Sequence, residues 1–125
     1  MIPAELKYTK EHEWVKIDGD IATVGITDYA QGELGDIVFV ELPPTGFKSE
    51  INKPFGTIEA VKAISDLFSP LSGEIAETNL ELENDASIIN SDPYGDGWIV
   101  KIKLSDPGEI DGLIDAAAYE AQIKS

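Results

Sequence analysis

The chain has 125 residues, 42% of them hydrophobic and 26% charged, a composition that fits one globular domain and leaves no room for a second, catalytic one. Nine basic residues, all lysines, face 24 acidic ones, and the resulting charge of −15 repels polyanions and excludes recognition of nucleic acid by Lys/Arg patches. Cysteine is absent and His12 is the only histidine, which excludes disulfides, thiolate chemistry and Cys/His metal sites; no Asp-rich calcium loop of the right spacing occurs, so no metal site is expected.

The N-terminal segment, residues 1–14, has no long apolar run, and no stretch elsewhere approaches the ~20 residues of a membrane helix. His12 reads as a surface or half-buried imidazole. From Trp14, the β-rich runs WVKI and DIATVGI flank Asp18-Gly19, a pair that favours the positive φ angles of a tight hairpin turn. Thr27 is placed to cap a short helical turn through Tyr29, Ala30 and Gln31, with Gly32 and Gly35 expected to break it. The run DIVFVEL is β-branched and aromatic and reads as a strand ending at Pro43-Pro44-Thr45-Gly46.

Gly56 to Pro70 supports two structures. Ile58, Val61, Ile64 and Phe68 recur at helical spacing, and Ala60, Lys62 and Ala63 suit a helix, so periodicity favours an amphipathic helix. The competing hairpin would pair FGTIEAV with ISDLFS around Lys62, but its turn lacks the Gly or Asn that tight turns prefer. Gly35-Asp36-Ile37 is weakly echoed at Gly73-Glu74-Ile75, and Pro54-Phe55-Gly56 at Pro93-Tyr94-Gly95, which suggests two similar β halves. Asp106, Pro107 and Glu109 have the N-cap, N1 and N3 spacing of a helix start, and AAAYEAQI after Asp115 places Tyr119 and Ile123 four apart, so one or two short helices close the chain. Trp14, Val38, Phe39, Ile75, Trp98 and Ile99 are the expected core contributors.

Glu59-Ala60-Val61-Lys62-Ala63, with Ser65-Asp66 and Ser69-Pro70-Leu71-Ser72-Gly73-Glu74 after it, resembles the lipoyl-attachment motif of the glycine cleavage system H protein family. Further resemblance lies in residues 8–15 (YTKEHEWV), 25–31 (GITDYAQ), 34–43 (LGDIVFVELP) and 92–98 (DPYGDGW), spread over nearly the whole chain. It implies a mostly β fold, a flattened β-barrel or sandwich of the lipoyl-domain type with short C-terminal helices, forming a single lipoyl-carrier domain over residues 1–125. On that reading Lys62 sits on a hairpin tip, which overrides the helix, and Glu59, Val61 and Ala63 are its neighbours in the modification motif. Biotin carriers have a similar fold but flank the lysine with methionines, whereas the only methionine here is Met1. The lipoyl domains of 2-oxo acid dehydrogenases usually have an acidic residue before the lysine and belong to longer chains; here the residue is Val61. Ala60 departs from the serine common in the family, which leaves any hydroxyl contact there in doubt.

The resemblance also implies the chemistry. Lipoate bound to Lys62 as an amide forms a long arm whose five-membered ring cannot reach the ~90° dihedral of a relaxed disulfide and is readily opened. A pyridoxal-phosphate glycine decarboxylase loads an aminomethyl group onto the arm, a tetrahydrofolate-dependent aminomethyltransferase removes the one-carbon unit with release of ammonia, and a dihydrolipoyl dehydrogenase reoxidises the dithiol with NAD. A lipoyl-attaching enzyme installs the arm. The chain is then a carrier without catalytic residues, expected in the cytoplasm, or in mitochondria if a transit peptide has been removed. A loaded arm ends in an amine that is cationic near neutral pH, and Glu13 and Asp66 are the carboxylates expected to dock it. A lipoyl donor in lipoate relay fits the same residues. A small Schiff-base enzyme built on Lys62 is the other alternative, opposed by the carboxylates of Glu59 and Asp66.

Overall fold

The structure is a computed structural model and describes residues 2–124; Met1 lies outside them. Two antiparallel sheets face each other. The larger has the strand order β1-β2-β3-β9-β8-β5, built from β1 (Lys7–Tyr8), β2 (Glu13–Asp18), β3 (Ile21–Ile26), β5 (Lys48–Ser49), β8 (Gly73–Thr78) and β9 (Val100–Leu104). The smaller has the order β4-β6-β7, from β4 (Ile37–Glu41), β6 (Pro54–Ala60) and β7 (Ile64–Phe68). The sheets share no strand pairing, so the expected flattened barrel or sandwich is built as an open sandwich.

Between the sheets lies one apolar cluster to which Val15, Val24, Ile75 and Ile102 contribute from the large sheet and Val40, Ile58 and Leu67 from the small one. Each such side chain stabilises by about 1.5–3 kcal/mol on burial. A second cluster covers the opposite face of β1 and β2, where Leu6, Tyr8 and Trp14 meet Tyr119 of the C-terminal helix. With both faces covered, Glu13, Trp14 and Val15 are buried in succession, a pattern that simple alternation cannot produce. Trp14 donates its indole N–H to the Pro93 carbonyl at 2.8 Å. Its ring fits because its cross-strand partner is Gly25, where a Cβ would lie 2.6 Å from Trp14 Nε1.

The hairpin at residues 13–26 forms as expected, but its two-residue turn is Gly19-Asp20, closed by the Asp18–Ile21 pair, with Gly19 at φ 65°. Helix α1 (Asp28–Leu34) is capped by Thr27, whose hydroxyl oxygen accepts the Ala30 N–H at 3.2 Å. It runs through Gly32, exposed and in contact with nothing near its Cα hydrogens, and ends at Gly35; the expected break at Gly32 does not occur because one glycine costs a helix only ~1 kcal/mol.

The segment from Gly56 to Pro70 is the β6–β7 hairpin and not a helix. Periodicity is overruled by pairing: β6 is the central strand of its sheet, bonded to β4 on one side and β7 on the other. The supposed helical face is split, Ile58 being 1% exposed and Ile64 68%. Neither Val61 nor Lys62 takes a positive φ, so the turn needs no Gly or Asn.

Two core expectations also fail. Trp14, Ile75 and Ile99 are buried and Trp98 is half-buried against the second cluster, whereas Val38 and Phe39 are 56% and 52% exposed. The cause is a bulge in β4, where Ile37 pairs with Ala60 and Phe39 with Glu59, leaving Val38 as the extra residue. The echo between halves falls on unlike positions, since Gly35 ends a helix while Gly73 is in a strand, and Pro54–Gly56 is in a strand while Pro93–Gly95 is in a turn.

Two short helices, α2 (Glu81–Asn84) and α3 (Ile88–Ser91), join β8 to β9 and were not anticipated; they bury Leu82 and Ile89. Asp106 caps a 3-10 helix (Pro107–Gly112), accepting the Gly108 N–H at 3.1 Å. Glu109 does not close a capping box, and instead accepts the Ser72 N–H at 2.7 Å and its hydroxyl at 2.9 Å. Asp115 accepts the Ala118 N–H at 2.8 Å and starts the closing helix α4 (Ala116–Lys124). Among the described residues no helix is long and apolar enough to cross a membrane.

Candidate functional site

Lys62 is at the tip of the β6–β7 hairpin, flanked by Val61, Ala63 and Ile64, all exposed. The tip is held from below and from the side. The Ala60 N–H donates to the Ala63 carbonyl at 2.8 Å, and the Val61 N–H donates to the Asp36 carbonyl at 2.9 Å. Asp36 lies between two residues clamped by Asn90: its Oδ1 accepts the Ile37 N–H at 2.9 Å, and its Nδ2 donates to the Gly35 carbonyl at 2.9 Å and to Gln31 Oε1 at 2.8 Å. Asn90 on α3 thus supports the strip of chain on which the tip rests, a role that no local sequence signal announces. Among the described residues the three ion pairs join Lys48 to Glu74, Lys101 to Glu77 and Lys124 to Glu120, and none involves Lys62.

Glu59 and Asp66 do not pair with Lys62. Glu59 is exposed between its strand neighbours Phe39 and Ile64, and Asp66 is exposed opposite Thr57. Asp66 and Glu13, far apart in sequence, line the same cavity of about 270 Å³. Ile58 and Leu67 from the small sheet and Tyr29 and Leu34 from α1 also line it. The cavity therefore combines an apolar lining with carboxylates, Glu13 buried and Asp66 exposed.

Glu13 is only 3% exposed and has no cationic partner among the described residues. Thr9 donates its hydroxyl to Glu13 Oε1 at 2.7 Å. Burial pushes the carboxyl up to about 7; the Thr9 hydroxyl and the Phe68 backbone oppose the shift, and the charge of Glu11 adds to it. A buried carboxyl poised near neutrality, with no cation beside it, can receive one.

His12 also lines the cavity. It stands in the turn before β2 at φ 71°, half-buried as expected, but it is more than a surface imidazole. Its Nδ1 lies 2.8 Å from the Tyr119 hydroxyl, which lies 2.7 Å from the Thr27 hydroxyl. This chain ties α4 to the start of α1 and the cavity wall. Burial lowers the His12 pKa from its ordinary value. His12 and Thr27 are joined by continuation of the hairpin, the Thr27 N–H donating to the His12 carbonyl at 3.0 Å, whereas nothing in the local sequence links either to Tyr119.

A family model described as glycine cleavage H-protein matches residues 6–125. The glycine cleavage system H protein of Symbiobacterium thermophilum is 54% identical over 123 residues, covering 98% of this chain and 96% of that one. The protein of the same name from Bacteroides thetaiotaomicron is 56% identical over 121 residues, covering 97% of this chain and 96% of its own. Among solved structures, a glycine cleavage system H protein from Mycobacterium marinum superposes with a TM-score of 0.91 at 38% identity, covering 99% of this chain and 100% of that one. With a family model spanning nearly the whole chain, and relatives above half identity over almost their full length, the chain belongs to the glycine cleavage H-protein family.

Proposed function

We propose that Lys62 is the attachment point for lipoate, bound as an amide through Nζ, and that residues 1–125 work as one lipoyl-carrier domain. As a member of its family the chain is a lipoyl-bearing shuttle and not a catalyst. The partners this role calls for are glycine decarboxylase, aminomethyltransferase, dihydrolipoyl dehydrogenase and the enzyme that attaches the arm, with the cytoplasm as the place of work. The observation that supports Lys62 is an exposed lysine, outside every ion pair among the described residues, on a hairpin tip braced by Asp36.

Once attached, lipoate supplies a strained cyclic disulfide that opens to accept a carbon-bearing amine and closes again on oxidation. The residues of the chain do the rest. The braced tip presents Nζ to a partner, and acylation removes its charge. Glu13 and Asp66 in the cavity lining can hold a protonated amine by charge-assisted hydrogen bonds, and an ammonium beside Glu13 favours the ionised carboxylate. Ile58, Leu67 and Leu34 exclude water from the bound amine.

Intact-mass measurement on protein from a lipoylating host tests the reading: one lipoyl addition, mapped to Lys62 among the nine lysines. Lys62→Arg should fold as the parent does, take no lipoyl group and fail to support glycine decarboxylation. Modification at another lysine, or full activity of the unmodified variant, would overturn it.

A further inference from the structure

His12 and Thr27 meet where the β2–β3 hairpin ends, and both present a polar side-chain atom to the Tyr119 hydroxyl of α4, His12 Nδ1 at 2.8 Å and Thr27 Oγ1 at 2.7 Å. Thr27 and Tyr119 are fully buried. Two hydrogen bonds therefore have to be filled from the protons of three groups, of which the two hydroxyls have one each. Burial pushes the Tyr119 phenol up to about 12, so near neutral pH its proton stays in place. Thr27 Oγ1 also accepts the Ala30 N–H at 3.2 Å. When His12 is neutral with its proton on Nε2, two protons serve two bonds: Thr27 donates to Tyr119, and Tyr119 donates to Nδ1. A proton on Nδ1, in the other tautomer or in the cation, makes three protons for two bonds. One buried hydroxyl then has no acceptor among these partners, which costs its full desolvation.

We propose that this chain runs in one direction only, from Thr27 through Tyr119 to a neutral His12 protonated at Nε2, and that Tyr119 is by this route a positioning residue for the cavity that holds the loaded arm. The positioning role rests on the docking function given to Glu13 and Asp66. Thr27 caps α1, and Tyr29, Ala30 and Leu34 of that helix line the cavity together with His12. Tyr119 thus holds two parts of the wall at once: the start of α1 through Thr27, and the imidazole through Nδ1. Its own ring is fixed by stacking on Tyr8 at 4.8 Å, and the imidazole lies 5.0 Å from the ring of Tyr29. The charges around His12 oppose neutrality, since Glu11 and Glu33 favour its cation and Glu13 and Asp66 line the same cavity. Burial nevertheless lowers its pKa, and the proton count along the chain acts in the same direction. Neutrality serves the carrier, because an imidazolium in the cavity wall would repel the ammonium of a loaded arm and compete with it for Glu13.

The test joins a spectroscopic readout to a lifetime. Long-range proton–nitrogen NMR of the unloaded parent should show the proton on His12 Nε2 and none on Nδ1, with the ring titrating below its ordinary 6.5. Tyr119→Phe keeps the ring stacked on Tyr8 and removes only the hydroxyl; His12 should then titrate higher than in the parent, because the bond that favours its neutral form is gone. Loaded with an aminomethyl group and left alone, lipoylated Tyr119→Phe should release formaldehyde and ammonia roughly three to ten times faster than the parent, as loss of a buried hydrogen bond predicts. Thr27→Val, which ends the chain at Tyr119, should also shorten the lifetime, and Thr27→Ser, which keeps the hydroxyl, should restore it; this pair tests the positioning role even if Tyr119→Phe does not fold. A parent with the proton on Nδ1 overturns the direction of the chain. A short lifetime in Tyr119→Phe with unchanged His12 titration assigns the loss to packing and overturns the proposal, as do parental lifetimes in Tyr119→Phe and Thr27→Val when Glu13→Gln shortens its own. Parental lifetimes in all of them, Glu13→Gln included, remove the docking function and the positioning role with it.

Discussion

Lys62 lies across Gly35 so closely that a methyl group on Gly35 would sit 2.8 Å from the lysine Cε. Gly35 ends α1 at φ 81°, ψ −155°, a conformation open to almost no residue but glycine, and its carbonyl is held by Asn90. Gly35→Ala combines backbone strain with a clash against the lysine stem. It should lower stability by about 1–3 kcal/mol in urea unfolding. An unchanged midpoint would mean that the segment under the hairpin tip does not keep this conformation.

Glu13 makes stability depend on pH. Its pKa is raised from an ordinary 4.5 to about 7, so in that window the folded state keeps a proton that the unfolded chain releases. The stability it contributes is complete below pH 4.5 and is lost as pH rises through about 7, a change of roughly 3 kcal/mol by linkage. Glu13→Gln should flatten that part of the curve. His12 works in the other direction: its lowered pKa contributes stability present above its ordinary 6.5 and lost as pH falls through the lowered value. Parent and variant share that term, so the difference between their unfolding curves isolates Glu13. Parallel curves would show that the carboxyl titrates normally.

The loaded carrier tests Glu13 and Asp66 together. Glu13→Gln and Asp66→Asn should each be lipoylated normally, yet release formaldehyde and ammonia faster than the parent when the loaded protein stands alone. Loss of a charge-assisted hydrogen bond of ~1.5–3 kcal/mol predicts at least a severalfold shorter lifetime. In the parent, protection should weaken as pH falls and Glu13 becomes neutral. Equal lifetimes in all three proteins would retire the docking role and leave the carrier assignment intact.

The bulge in β4 predicts unequal costs for aromatic residues. Trp14→Ala removes a ring that is 2% exposed and bonded to Pro93, and should cost about 3–5 kcal/mol. Phe39→Ala, at 52% exposure, should stay within about 0.5 kcal/mol of the parent. Thermal or urea unfolding of the two variants checks this; a large loss at Phe39 would place that ring in the core.

Local chemistry was enough for several features. The Thr27 cap, the Asp106 helix start, the helix after Asp115 and, within one residue, the hairpin turn at Gly19 each depend on neighbours within a few residues and fall where the sequence places them. The family was legible because its motifs run along nearly the whole chain. Tertiary structure decided what local pattern left open or misread. Gly56–Pro70 has helical periodicity, but β6 gains two flanking strands only as a strand, and those long-range bonds outweigh propensity. Val38 and Phe39 look like core because alternation hides a bulge that only the register with Glu59 and Ala60 reveals. Glu13 shares a cavity with Asp66, and His12 and Thr27 reach Tyr119, across separations that no sequence spacing encodes, since shared cavities and these contacts arise only once the two sheets and α4 have packed.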